Sequence, residues 1–278
     1  MKSFALALGG GGARGLGHIA VVEALEEMGV RPTAIAGASI GALVGAAYAA
    51  GISGRDMRRH VIALAHERGA IFRRLMAARA GALSSMLTEG FVGATLVDAE
   101  KFVAQFLPEG LPEDFAGLQI PLTVATSDLY RRCEVPIASG PLMPALAASV
   151  ALPGLLRPVV IGERVLIDGG ATNPLPFDHL RGRADVVVAV DISGEPAEDR
   201  RDLPNPWEAL VTTVLVMANA SICEKLRHSA PDLMLRPNVG IFRTLDFFQA
   251  SAILRAAEPV KAEVKEKLGK LIELTRSS

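Results

Sequence analysis

The stretch LALGGGGARGLGHIAVVEAL, Leu6 to Leu25, decides the fold. An apolar run from Phe4 to Leu8 meets the four glycines Gly9 to Gly12, after which Ile19, Val22, Leu25 and Met28 recur at helical spacing until Gly29. This order predicts a strand, a tight turn and a helix over Leu16 to Met28. Pro32 then precedes a second short strand, Ala34 to Gly37, and a second helix from Ile40 to Ala50, closed by Gly51. The two strand ends lie roughly thirty residues apart, the length of one βαβ unit, which makes the strands parallel neighbours.

The glycine turn has two chemical readings. Gly10 to Gly15, GGGARG, satisfies GxGxxG between a strand and a helix, as a dinucleotide site requires. That site also needs an acidic residue near the end of the second strand for a ribose hydroxyl, and no acid occurs between Glu27 and Asp56. A nucleoside triphosphate loop fails too, because Leu16 and Gly17 stand where a lysine and a hydroxyl residue are needed.

The second strand ends instead in GASIG, comprising Gly37, Ala38, Ser39, Ile40 and Gly41, a match to GxSxG. The pattern sets Ser39 on a sharp strand-to-helix turn, with Oγ at the carboxyl edge of the sheet beside the glycine turn. A serine next to unpaired N–H groups of Gly10, Gly11, Gly12, Ala13, Arg14 and Gly15 is the geometry of a nucleophile and an oxyanion hole. Asp168 ends a further apolar run in VLIDGG, where Gly169 and Gly170 allow close backbone approach, so it is the candidate base. A free aspartate has a pKa of about 3.9, so burial must raise it for that task. Among the histidines, His179 and His228 follow Asp168 in the order of an α/β-hydrolase triad, but Ser39 comes too early in the chain for that fold. His18, one turn into the first helix, is the other candidate near the site.

Composition narrows the class. Half of the 278 residues are apolar, enough for a sizeable core, and the 29 basic against 30 acidic residues with 5% aromatics argue against nucleic acid. Cys133 and Cys223 stand far apart with no CxxC or histidine cluster, so they read as apolar filler in a reducing compartment, and no metal or organic cofactor is indicated. The apolar residues before Gly9 are too few for a secretory signal, which makes the expected location cytoplasmic. Ala34 to Ile52 carries no charge, but its Ala and Gly content reads as a buried strand and helix rather than a membrane span.

Further along, Ser53 and Asp56 form a capping pair, and Arg55 to Arg79 holds seven arginines against Asp56 and Glu67. Its bland reading is a solvated polar face; its sharper one is a lid or a peripheral contact at the inner membrane face, with Ile71, Phe72, Leu75 and Met76 guiding acyl chains. Gly81 to Gly93 reads as a mobile connection. Strands are predicted at Pro121 to Asp128, Glu134 to Ser139, Val165 to Ile167 and, as a continuous apolar run of the central parallel type, Asp185 to Ser193. The acidic stretch Glu195 to Asp202 marks a boundary, giving 1–204 as a catalytic unit and 205–278 as a mainly helical extension packed on it. In that extension Asn205 caps a long helix, a short strand follows at Leu233 to Leu235, and Val211 to Ala220, apolar nearly all round, reads as core or a dimer surface.

Four segments in one order, GGGARGLGHIAV (Gly10 to Val21), IAGASIGALVGAAYAAG (Ile35 to Gly51), ASVALPGLLRPV (Ala148 to Val159) and LIDGGATNPLP (Leu166 to Pro176), resemble the bacterial patatin-like phospholipases. The resemblance implies a three-layer α/β/α sandwich with a mainly parallel central sheet and a catalytic dyad without histidine, in which Ser39 is the nucleophile, Asp168 the base and the Gly10 to Arg14 amides the oxyanion hole. It further implies a lipid or acyl-ester substrate. Two rivals stay open: a non-catalytic regulatory or scaffold protein on the same fold, and a nucleotide-binding protein using GxGxxG.

Overall fold

The computed structural model describes residues 1–67, 97–193, 203 and 206–273. The sequence expectations for Ile71 to Met76, Gly81 to Gly93, Glu195 to Asp202 and Asn205 therefore lie outside the described residues. Among the described residues eight strands form one sheet in the order β5-β6-β3-β2-β1-β7-β8, with β4 paired to β3 off that path. Five of them run parallel: β1 (Phe4–Leu8), β2 (Ile35–Ala38), β3 (Leu122–Asp128), β7 (Val186–Val190) and β8 (Leu233–Leu235). The expected βαβ unit is present, since Leu6, Ala7 and Leu8 pair in parallel with Ile35, Ala36 and Gly37.

Strand alternation divides the core. Phe4, Leu6 and Leu8 point into a large core with Ile35, Val186, Val188 and Val190, whereas Ala5, Ala7, Ala36 and Ala189 face a thinner one closed by Leu175, Phe177, Leu180 and Ile222. The large core is covered by α1 (His18–Glu27), α2 (Ile40–Ala49) and α5 (Leu142–Val150), whose inward residues are almost all Ala, Val, Leu and Ile. Small side chains on the second face let the chain from Leu175 to Leu180 lie close to the sheet; burying Phe177 there is worth roughly 2–3 kcal/mol. The result is the expected three-layer α/β/α sandwich.

Further helices among the described residues include α3 (Gly54–Glu67), α4 (Ala99–Phe106), α6 (Pro206–His228) and α7 (Ala250–Ala257), and short helical segments continue from Val260 to Glu273. The Ser53 and Asp56 cap forms as expected, with Asp56 N–H donating to Ser53 Oγ at 3.1 Å. A six-residue 3-10 turn, Gly12–Gly17, precedes α1.

The direction of one strand positions the site. Asp168 stands at the carboxyl end of its strand, as expected; that strand, β6 (Arg164–Asp168), forms an antiparallel hairpin with β5 (Val159–Ile161) and runs antiparallel to β3, a direction the sequence reading did not assign. β4 (Cys133–Ile137) occupies one edge of β3 along Val124 to Asp128. β2 pairs with Leu122 to Ala125 and β6 with Thr126 to Asp128, so both must share the opposite edge, end to end. Their carboxyl ends, Ala38 and Asp168, therefore meet head-on over Ala125 and Thr126.

Two expectations change. Cys133 and Cys223 are exposed rather than buried, because β4 is an edge strand and Cys223 faces outward on α6. Only one face of Val211 to Ala220 is covered, the opposite face leaving Leu210, Val216 and Met217 at least half exposed.

Candidate active site

Ser39 follows β2 directly and opens α2, with φ 52° and ψ −126°; among the described residues only Arg132 is another non-glycine at positive φ. A side chain held there costs of order 1–3 kcal/mol, so the surroundings must impose the conformation. Ser39 O accepts the N–H of Ala42 at 2.9 Å and of Leu43 at 3.3 Å, fixing the turn to the first winding of α2. Gly41 lets this helix start sit against β1, because a Cβ there would lie 2.2 Å from Leu8 O.

The elbow aims Ser39 Oγ at Asp168, to which it donates at 2.8 Å through Oδ2. The other carboxylate oxygen, Oδ1, accepts Gly170 N–H at 2.7 Å. Ser127 Oγ donates to Asp168 O at 2.9 Å, fixing the main chain as well. Burial pushes the Asp168 carboxyl from 3.8 up to about 6, against the lowering effect of the Gly170 and Ser39 hydrogen bonds. The elevated basicity that the sequence reading required of this aspartate is thus supplied by its location.

The glycine loop crosses the elbow so closely that a Cβ on Gly10 would lie 3.3 Å from Ser39 Cβ. Its N–H groups divide into two sets, and the division narrows the donors expected from sequence. Gly10 N–H is taken by Pro174 O at 2.9 Å and Ala13 N–H by Thr244 O at 2.7 Å. Gly11 and Gly12 N–H have no acceptor among the described residues, and neither does Ile40 N–H at the start of α2. Gly12 needs to be glycine twice over: φ is +62°, and a Cβ would meet Thr244 O at 2.2 Å. Gly15 is a packing position, where a Cβ would overlap Ile40 at 2.1 Å. Arg14 turns away from the loop, donating through Nε to Phe242 O at 2.7 Å and through Nη1 to Ser193 O.

No histidine lies against Ser39 among the residues that line this pocket. His18 is fully buried beneath the glycine loop, with Nε2 2.8 Å from Gly9 O; since a carbonyl only accepts, the Nε2–H tautomer is fixed. Burial drives its pKa down to about 4, so it is neutral at neutral pH. His179 pairs with Glu134 at 2.6 Å, which raises its pKa, and His228 lies exposed near the end of α6. Glu134, Asp178 and His179 have ligand-type atoms close together, but Lys225 Nζ sits 2.5 Å from Asp178 Oδ1 and neutralises the group from within.

Above the dyad opens an apolar pocket walled by Leu43, Phe102, Phe106, Leu156, Val214 and Leu215. The Phe102 and Phe106 rings meet at 4.8 Å with a tilt of 36°, and Phe106 meets Phe247 edge-on at 5.1 Å, giving one wall an aromatic surface. The covered face of α6 is the other wall. Among the described residues, Ala209–His228 of this helix is long and apolar enough to cross a membrane, with 11% of its most apolar window buried. Of the arginines expected to form a basic surface, Arg58 is already held by Glu23 at 2.6 Å and Glu258 at 2.5 Å, and Arg59 by Asp56. Arg73, Arg74 and Arg79 lie outside the described residues.

Sequence reading missed the acceptors Pro174 O and Thr244 O, which are main-chain atoms with no side-chain signature. It also missed Ser149, although the segment around it was one of the matching four. The i, i+4 spacing of Phe102 and Phe106 was a legible signal of the aromatic wall.

A strained serine elbow, a carboxylate bonded to its hydroxyl and a glycine loop with free N–H groups define an α/β/α protein of the serine-hydrolase type in architecture. The chain belongs to the patatin-like phospholipase family, whose profile matches residues 6–181. It is 36% identical over 199 residues to an uncharacterised NTE family protein of Mycobacterium tuberculosis, covering 71% of this chain and 51% of that protein. It is 29% identical over 274 residues to patatin-like phospholipase domain-containing protein 7 of Rattus norvegicus, covering 88% of this chain and 19% of that one. The chain spans about half the length of three mycobacterial relatives and 30% of three others. Among solved structures, VipD from Legionella pneumophila shares the fold with a TM-score of 0.50 at 15% identity, covering 95% of this chain and 66% of that one.

Proposed function

We propose that the chain is a serine acyl-ester hydrolase acting on lipid esters, of the phospholipase A, lysophospholipase or carboxylesterase type. The observation that carries this reading is the 2.8 Å hydrogen bond from Ser39 Oγ to a buried Asp168, set beside the free N–H groups of Gly11 and Gly12 at the floor of an apolar pocket. Family membership and the likeness to patatin-like phospholipase domain-containing protein 7 support a lipid ester as substrate.

Asp168 Oδ2 takes the proton of Ser39 Oγ as that oxygen attacks the ester carbonyl carbon. The carbonyl electron pair moves to oxygen, and Gly11, Gly12 and Ile40 N–H groups receive the resulting oxyanion. Each such donor is worth about 3 kcal/mol in acyl transfer, which offsets the weakness of a carboxylate base. When the tetrahedral intermediate collapses, the alcohol departs with the proton held by Asp168. Asp168, again a carboxylate, then takes a proton from water as water attacks the acyl-serine; collapse returns that proton to Ser39 Oγ and releases the acid. The proton steps use only Ser39, Asp168 and water.

The acyl chain lies between the aromatic wall and α6, and its alcohol or headgroup points outward. In this reading the protein is cytoplasmic and meets a lipid surface from outside. With Arg58 committed to Glu23 and Glu258 and Arg59 to Asp56, contact with anionic headgroups falls to the remaining arginines of Arg55 to Arg79.

The test is hydrolysis of a chain-length series of p-nitrophenyl esters and lysophospholipids by the wild-type protein and by Ser39→Ala. Turnover by the wild type and none by Ser39→Ala supports the assignment. Equal turnover by both, or turnover by neither with a folded wild type, overturns it and leaves the non-catalytic reading.

A further inference from the structure

In a parallel ladder the hydrogen-bond donors of one strand recur every second residue. On β2 the first is Ile35, whose N–H reaches Pro121 O at 2.8 Å. With Ile35 opposite Leu122 and Ala38 opposite Ala125, the register assigns Gly37 N–H to Thr123 O and Ser39 N–H to Ala125 O. The last of these bonds is not made. Ser39 N–H donates instead to Ser149 Oγ at 2.9 Å, and Ser149 Oγ–H donates to Ala125 O at 2.7 Å. A side-chain hydroxyl from α5 has been inserted into the ladder at the point where β2 leaves the sheet.

The polarity of the relay is fixed. Ala125 O can only accept, so the Ser149 proton points to it and an Oγ lone pair is left for Ser39 N–H. Ser149 is fully buried, which shields both bonds from water. The same segment reaches the other half of the site two residues later, where Ala151 O accepts Asp168 N–H at 3.2 Å. One three-residue stretch at the end of α5 therefore holds the main chain of both the serine and the aspartate.

We propose that Ser149 is a positioning residue: its hydroxyl wedges open the β2–β3 ladder at Ser39, which holds the elbow at positive φ and keeps Ser39 Oγ in line with Asp168. Without the wedge, Ser39 N–H either closes directly on Ala125 O, flattening the elbow, or is left without an acceptor. Both outcomes turn the nucleophile away from its base while leaving the pocket that binds the acyl chain untouched. The same relay removes Ser39 N–H from the oxyanion donors and leaves Ile40 N–H as the contribution of the elbow.

This inference rests on the Ser39 and Asp168 assignment, and the experiment separates the two. Fluorophosphonate labelling rates and steady-state ester kinetics are measured for the wild type, Ser39→Ala, Ser149→Ala and Ser149→Thr, each normalised to the folded fraction from its melting curve. Wild-type labelling with none in Ser39→Ala establishes the underlying assignment independently of Ser149. Ser149→Ala is then expected to label and turn over about ten to a hundredfold more slowly, with KM changed less than about twofold and the midpoint of the pH profile unmoved. Ser149→Thr keeps the hydroxyl and is expected to recover most of the rate. The inference is overturned if folded Ser149→Ala labels at the wild-type rate, if its loss lies in KM, or if folded Ser149→Thr is as slow as the alanine variant.

Discussion

Ser39 and Asp168 face each other at 2.8 Å because the strands that carry them end against one another on a single edge of β3. β2 arrives parallel to β3 and peels away after Ala38; β6 arrives antiparallel and stops at Asp168. Residues 129 positions apart in the chain are thereby brought to one point by hydrogen-bond register alone, before any side-chain preference acts.

The first consequence concerns pH and rate. In the proposed mechanism Asp168 must be ionised to accept the Ser39 proton, and burial raises its pKa from 3.8 to about 6. Turnover of an uncharged ester is therefore expected to rise with pH, reach half its plateau near pH 6 and stay level through neutrality. A kcat/KM profile measured across this range tests it; a midpoint near 4 would mean that Asp168 is not the base or is not buried during reaction.

The same shift has the opposite effect on stability. Between pH 3.8 and about 6 the folded protein keeps a proton on Asp168 that the unfolded chain releases, so this group's contribution to stability is full below that window and is lost as pH rises through it. At about 1.4 kcal/mol per pH unit the loss amounts to about 3 kcal/mol. Urea unfolding of the wild type and of Asp168→Asn across the window isolates the term: the stability of the asparagine variant relative to wild type is expected to increase with pH. A constant difference between the two proteins would contradict it.

How far the sequence could reach is clear from these residues. The order of strand, glycine turn, helix and GxSxG was legible because parallel neighbours need only a βαβ spacing and an apolar pattern, both local. The antiparallel β5–β6 hairpin went unread, although the apolar run Val159 to Ile161 and the turn at Gly162 (φ +59°) before Arg164 are a local signal of it; β5 has only three residues. Asp168 was found by its motif, while the direction of the strand that carries it was left unassigned. That Gly10 and Ala13 N–H are already taken, by Pro174 O and Thr244 O, has no signature in the sequence, and it is what leaves Gly11 and Gly12 as the proposed donors of the glycine turn.

Gly12→Ala tests the donor loop. The new Cβ would lie 2.2 Å from Thr244 O in a backbone with φ +62°, so the loop must shift. Losing one aligned donor costs about a hundredfold or more in kcat in comparable sites. Ester kinetics should show that loss in kcat with a smaller change in KM, whereas unchanged kcat would remove Gly12 from the oxyanion hole.

His18→Leu tests whether the buried histidine is a support for the loop rather than a proton carrier. Gly9 O loses its 2.8 Å partner in a dry site, a cost of about 1–3 kcal/mol readable by urea unfolding. Because the His18 pKa lies near 4, the variant's pH profile should keep the wild-type midpoint near 6. A moved or missing midpoint would assign His18 a part in proton transfer.

The most direct measurement is intact-mass analysis after exposure to a fluorophosphonate. The wild-type protein is expected to gain a single adduct mapping to Ser39, Asp168→Asn to gain it far more slowly, and Ser39→Ala to gain none. An adduct on folded Ser39→Ala, or a folded wild type that stays unlabelled, would contradict the dyad.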